Sequence, residues 1–244
     1  MRYYFTEKTE KGVIMLIDPH VHSKAISFCS IASIEEIIDF KKSHGYAAAV
    51  SVNHCQPWYY AESEHKENMQ KHIDEYLRGK AYAEKNDFKL FLGIEVTVNK
   101  PFYADFLLYG VTEEFLLNSP CLYALTHSEL YEYCHKNGVV VIQAHPFRAP
   151  IVPASPSDVD GYEINCQKND LLTKENVLDL SASTGKLVTA GTDYHGREQD
   201  KYLGGMIVPD DINSATDFAN YLNSTFKTEL YFDGQIVEAI RTEK

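Results

Sequence analysis

Five of the ten histidines in this 244-residue sequence, His20, His22, His54, His145 and His195, each follow a short apolar run. The first such run, Val13-Ile14-Met15-Leu16-Ile17, leads into Asp18-Pro19-His20-Val21-His22. It reads as a buried strand, and side chains two apart on a strand point to the same side. Both imidazoles can then reach one metal ion, with nitrogen about 2.0–2.1 Å away if the ion is zinc. Alone, the pair is equally an ordinary surface His-x-His. Glu95 and Asp193 also follow apolar runs. In a barrel of parallel strands the C-terminal strand ends converge on one face, and active sites are built there. Seven metal-capable side chains at successive strand ends therefore point to one mouth. Imidazole with carboxylate suits zinc, manganese or iron. Glu95, with two carboxylate oxygens, can bridge two ions. The remaining histidines (His44, His65, His72, His127 and His135) fall on expected helices or at their ends, and read as solvent-facing or helix-terminal.

The elements that must position these residues alternate short apolar runs with longer amphipathic ones, an α/β pattern. Ser33-Ile34-Glu35-Glu36 and Thr126-His127-Ser128-Glu129 are capping boxes that open helices. Gly45 and Gly138 stand where helices should stop. A long helix is expected over about 62–85 and another over 171–181. Strands are expected at 47–52, 88–96, 105–109, 139–142, 160–165 and 187–190. The tail, with a strand at 204–208, a helix near 215–222 and a strand near 229–232, reads as closing structure. The aromatic loop Cys55-Gln56-Pro57-Trp58-Tyr59-Tyr60 either walls a pocket or simply packs.

A chain of this length that is 44% apolar fits one domain, residues 1–244, because α/β barrels fill 200–250 residues as a single unit. A net charge of −12 leaves no electrostatic footprint for nucleic acid or an anionic membrane. Five cysteines, an odd number with no Cys-x-x-Cys pair, argue against a disulfide framework or a zinc ribbon. No leader-like apolar region opens the chain, and no run is long enough to span a bilayer. A cytoplasmic location with reduced thiols is expected.

Five stretches together resemble the PHP (polymerase and histidinol phosphatase) family: Asp18-Pro19-His20-Val21-His22, Asn53-His54, Gly93-Ile94-Glu95, Ala144-His145-Pro146-Phe147-Arg148 and Gly191-Thr192-Asp193-Tyr194-His195. They extend over about 17–196. The resemblance implies a distorted (β/α)7 barrel with two or three divalent metals (zinc, manganese or iron) at its C-terminal mouth. It implies that His20, His22, Glu95 and Asp193 hold the first metal, that Glu95 bridges to a second held by His145, and that His54 and His195 hold a third. Asp105 stands where the family usually has a histidine, as a substitute ligand to the second metal. Two positions depart from the pattern. The residue aligned with a third-metal ligand after His-x-His is Phe28, and the family's Asp before His54 is Asn53. The third position is thus short of a ligand. It is either weak, empty, or completed by a water or by Cys29, whose soft thiolate would favour zinc; a simply buried cysteine is the plainer reading.

The reaction implied is phosphomonoester hydrolysis at a di- or trinuclear site by a metal-activated hydroxide, acting on a small phosphorylated substrate. Arg148 either forks onto phosphate oxygens or forms a surface salt bridge, and Arg197 is a weaker candidate for the first task. His195, without a metal, could protonate the leaving oxygen. Two rivals stand beside this reading: an amidohydrolase-type C–N hydrolase, which also opens on His-x-His, and a non-catalytic module that binds phospho-ligands.

Overall fold

The structure, a computed structural model, describes residues 8–9, 12–167, 169–197 and 202–241. The first seven residues, on which the expectation about a leader rested, lie outside the described residues. In chain order the elements are β1 (Lys8–Thr9), β2 (Gly12–Val21), α1 (Ile34–Ser43), β3 (Ala48–Ser51), β4 (His54–Cys55), α2 (His65–Lys85), β5 (Lys89–Val98) and β6 (Ala104–Tyr109). Then follow α3 (Glu113–Asn118), α4 (His127–Lys136), β7 (Val140–Gln143), β8 (Gly161–Asn165), α5 (Lys174–Thr184) and β9 (Leu187–Gly191). The last elements are β10 (Gly204–Pro209), α6 (Ala215–Ser224), β11 (Lys227–Phe232) and β12 (Gln235–Ile240).

Both capping boxes form as expected: Ser33 with Glu36 opens α1, and Thr126 with Glu129 opens α4. Gly45 follows α1 with φ +87°, a left-handed conformation that glycine adopts without steric cost. Ile34, Ile37 and Ile38 of α1 are fully buried, so the inward stripe of that helix rests on the sheet.

The strands form one sheet in the order β12-β11-β10-β2-β3-β5-β6-β7-β8-β9, with β1 paired to β2 and β4 to β5. The sheet curls until its inner edge meets β2 again. Tyr194 N donates to His20 O at 3.1 Å and His22 N to Tyr194 O at 2.9 Å, so the segment after β9 adds to the end of β2. The result is a nearly closed, distorted α/β barrel. The expected set of parallel strands needs one correction. β2, β3, β5, β7, β8 and β9 run together, but β6 is antiparallel to both β5 and β7. The mouth therefore receives the last residues of the parallel strands and the first residues of β6. The tail joins the sheet rather than capping it: β10 pairs antiparallel with β2. No helix among the described residues is long and apolar enough to cross a membrane.

One helix histidine corrects the sequence reading: His72, inside α2, is buried and neither solvent-facing nor helix-terminal, whereas His65 and His127 open α2 and α4 as helix-terminal residues and are also buried. His65 sits between Tyr60 Oη (3.2 Å) and Ser119 Oγ (2.9 Å), and His127 is 3.0 Å from Phe102 O. Local hydrogen bonds let these half-polar rings fill core space.

Candidate metal centre

His20 lies inside the last turnless stretch of β2 and His22 just beyond it, with ring centroids 4.9 Å apart and both side chains fully buried. His54 opens β4, opposite Glu95 of β5 in register. His145 follows β7, Asp193 and His195 follow β9, and Asp105 is the second residue of β6. All eight residues singled out as metal ligands in the sequence converge on one mouth. Four sets of donors are each close enough to share an ion: His20, His22 and Glu95; His20, His145 and Asp193; Glu95, Asp105 and His145; and His22, His54 and His195.

Glu95 sits at the centre of these sets. Its Oε1 is 3.3 Å from His145 Nε2 and 3.7 Å from His20 Nε2. Its Oε2 is 2.7 Å from His54 Nδ1 and 3.4 Å from His22 Nε2. Asp193 Oδ1 is 3.2 Å from His22 Nε2, 3.4 Å from His20 Nε2 and 3.4 Å from His195 Nδ1. Asp105 is held by Thr97 Oγ1, which donates to its Oδ1 at 2.5 Å, and by Tyr103 Oη, which donates to its Oδ2 at 3.2 Å.

The donor set fits divalent ions on a direct test. His20 Nε2, His22 Nε2, His54 Nδ1, Glu95 Oε2 and His145 Nδ1 are buried atoms with no well-directed hydrogen-bond partner. Buried polar groups are ordinarily paired, since leaving one unpaired is costly. Burial also opposes ionisation of Glu95, but the charges of His54 and His20 outweigh it and hold the carboxyl well below the usual range. Asp193 behaves alike: burial is outweighed by His20 and Arg148. Asp105 is pushed up by burial and by Glu95 beside it. His22 is driven well below the ordinary imidazole value by burial and by His54 and His195, which keeps it neutral.

Sequence reasoning missed the residues behind the centre. Glu163, on β8, is fully buried with its Oε1 2.6 Å from His20 Nδ1, and its Oε2 accepts from His145 N at 3.3 Å. A carboxylate on Nδ1 leaves the Nε2 lone pair facing the centre, the usual way a metal-binding imidazole is oriented. With Asp193 and Glu95, Glu163 also outweighs burial and keeps His20 well above its ordinary value. Asp18 accepts from His20 N and Thr192 N, each at 3.1 Å, and pairs at 2.5 Å with Lys41 of α1, both side chains fully buried. Asn53 accepts from Ser23 N (2.8 Å) and Ser27 Oγ (2.9 Å), so it shapes the loop after β2. His145 and Asp193 have φ of +33° and +52°, strained for residues with a Cβ and typical of functional sites.

Arg148 spans two carboxylates. Its Nε and Nη2 donate to Asp170 Oδ2 at 2.8 and 2.5 Å, and Nη2 also donates to Asp193 Oδ2 at 2.8 Å. It lines, with Arg197, Trp58, Tyr59 and Tyr103, a cavity of about 440 Å³ over the mouth. The aromatic loop thus does both things weighed for it: Cys55 and Tyr60 pack in the core while Trp58 and Tyr59 wall the cavity. Phe28 is 72% exposed against Tyr59, and the neighbouring Cys29 lines the mouth instead.

No protein-family model matches the chain, and no curated protein sequence does. Solved structures do. A two-domain protein from Bacteroides vulgatus, containing a predicted PHP-like metal-dependent phosphoesterase, superposes with TM-score 0.65 at 17% identity, over 90% of this chain. The chain spans 65% of that protein's length. PsfC from Pseudomonas syringae gives 0.60 at 16% identity, over 84% of this chain and 88% of its own. An amidohydrolase from Chromobacterium violaceum, with bound sulfate and no metal, gives 0.58 at 12%, over 84% and 96%. At these identities the likeness is one of fold, and the fold is the distorted barrel of the PHP-like phosphoesterases.

Proposed function

We propose that the chain is a metal-dependent phosphomonoesterase acting on a small phosphorylated substrate. The observation that carries this reading is the geometry of Glu95, whose two oxygens face different histidines, so that it would help hold more than one divalent ion. Divalent ions here would supply Lewis-acid polarisation and activation of a water. His20, His22, Glu95 and Asp193 would hold one, Glu95, Asp105 and His145 a second, and His54 with His195 a third.

The chain's own groups do the rest. Arg148 holds Asp193 through Nη2 and Asp170 through Nε and Nη2, leaving Nη1 for a phosphate oxygen. Such help matters, because a chain of net charge −12 repels an anion. His195 Nδ1 is 2.8 Å from Asp193 O, so the proton sits on Nδ1 and Nε2 is the working atom. That atom would either complete the third ion's shell or, with no ion there, serve in proton transfer at the leaving oxygen. Trp58, Tyr59 and Tyr103 give the cavity an aromatic wall on one side.

The fold shared with the PHP-like phosphoesterases supports this reading, as does the sulfate, a tetrahedral oxyanion, bound to the similarly folded amidohydrolase from Chromobacterium violaceum. That neighbour also favours a second reading, C–N bond hydrolysis. The Asp193-Tyr194-His195 ending and the Ala144-His145-Pro146-Phe147-Arg148 stretch speak for the phosphoesterase. The test is one metal-loaded preparation assayed on aryl and sugar phosphates and on amides and cyclic imides. Phosphate release that Glu95→Gln abolishes supports the proposal; turnover of amides alone, or of nothing, rejects it.

A further inference from the structure

The mouth carries a thiol beside its third group of donors. Cys29 Sγ lies 3.0 Å from His195 Nε2, accepts from Tyr59 Oη at 3.6 Å, and lines the mouth together with His54. The His195 ring is set for this contact: its Nδ1 proton is committed to Asp193 O, so the Nε2 lone pair faces Cys29. Independently of the cysteine, His22, His54 and His195 each offer a nitrogen within 4.8 Å of the others. His22 Nε2 and His54 Nδ1 are buried there with no well-directed hydrogen-bond partner. The loop is stitched in register as well. Ser30 Oγ donates to His22 O (2.7 Å) and His195 O (3.1 Å), and Ile31 N donates to His195 O at 2.9 Å. These bonds hold Cys29 inward while Phe28 points out.

We propose that Cys29 is a thiolate ligand, with His54 and His195, to the ion at this third position, and that it makes the position select zinc or another thiophilic ion over manganese or magnesium. Thiolate is a soft donor, and soft donors favour zinc where all-oxygen sets favour magnesium and manganese. Zinc bonds of about 2.3 Å to sulfur and 2.0–2.1 Å to nitrogen put the two donors roughly 3.5 Å apart around a tetrahedral ion. The present 3.0 Å contact opens by about half an ångström to admit one, a shift a loop side chain can make. The thiol proton leaves to solvent as the ion enters. This inference rests on the reading that the mouth holds divalent ions, and adds which atoms of this chain select one of them.

Cobalt(II) titrated into the metal-stripped full chain tests it, because a thiolate on cobalt gives a near-ultraviolet charge-transfer band. The expected result is that band in the wild-type protein, its loss in Cys29→Ser and Cys29→Ala, and a drop of one bound ion per chain with unchanged circular dichroism. In the unaltered chain, zinc should also shield Cys29 from iodoacetamide. A fully loaded wild type without the band, a variant that keeps it, or equal alkylation with and without zinc overturns the assignment and leaves the other ions in place. A chain that binds no cobalt overturns the metal centre itself.

Discussion

Glu163 lets His20 present one defined nitrogen to the centre. Its carboxylate takes the Nδ1 proton at 2.6 Å and, through its other oxygen, accepts from the backbone of His145. Outer partners of this kind are worth about 10–100-fold in metal affinity. Glu163→Gln should therefore weaken zinc binding by that factor in a competition with a chromophoric chelator, with the fold intact; unchanged affinity would show that His20 is not oriented this way. Gly191 shows the same tightness from the backbone side. A Cβ added there would lie 2.5 Å from His20 Cβ and 2.7 Å from Glu163 Oε1. Gly191→Ala should accordingly lose metal at the first position. Seven of the ligand residues were legible because each follows an apolar run, while Asp105, which opens its strand, was reached only through the family resemblance. Glu163 carried the same signal as Glu95, a carboxylate inside an apolar strand, but strand periodicity alone does not say which face looks into the barrel.

At the scale of elements, α1 contributes more than its apolar stripe. Lys41 runs inward to Asp18 and Thr192 Oγ1 and lies 4.6 Å over the Tyr194 ring. Removing one partner of a buried ion pair costs about 3–5 kcal/mol. Lys41→Met should cost that much in urea denaturation, and a loss under about 1 kcal/mol would mean that Asp18 is served by Thr192 alone. Helix α2 predicts an acid sensitivity. Burial lowers His65 to about 4, whereas an unfolded histidine titrates near 6.5. Between those values the unfolded chain takes up a proton that the folded chain refuses, so stability falls as pH drops from about 6.5 toward 4. The fall in urea midpoint from neutral to mildly acid pH should be smaller in His65→Gln than in the wild type; parallel curves would contradict it. The reversal of β6 was also within reach of the sequence. Five residues separate β5 from β6, too few for the crossover that parallel neighbours need. That reversal explains how Asp105, at the start of its strand, meets residues from the ends of others.

For the whole molecule, the barrel concentrates buried carboxylates and imidazoles at one end of an acidic chain. A cation that binds only the folded state stabilises it by mass action, by about 2.7 kcal/mol when free ion stands at 100 times Kd. Stripping the protein with a chelator should lower its melting temperature, and zinc or manganese should restore it; an unchanged melt would mean that the mouth is stable empty. The α/β class was readable from the alternation of runs and the barrel was implied by the family resemblance, while the route by which the tail joins β2 through β10 was not, because antiparallel pairing across a long separation leaves no local mark. The most direct test of the central claim is an anomalous-diffraction map from crystals grown with zinc or manganese. The account predicts peaks between His20, His22, Glu95 and Asp193 and between Glu95, Asp105 and His145, bridged by Glu95; a fully metal-soaked crystal with its side chains in these positions and no peak at the mouth would contradict it.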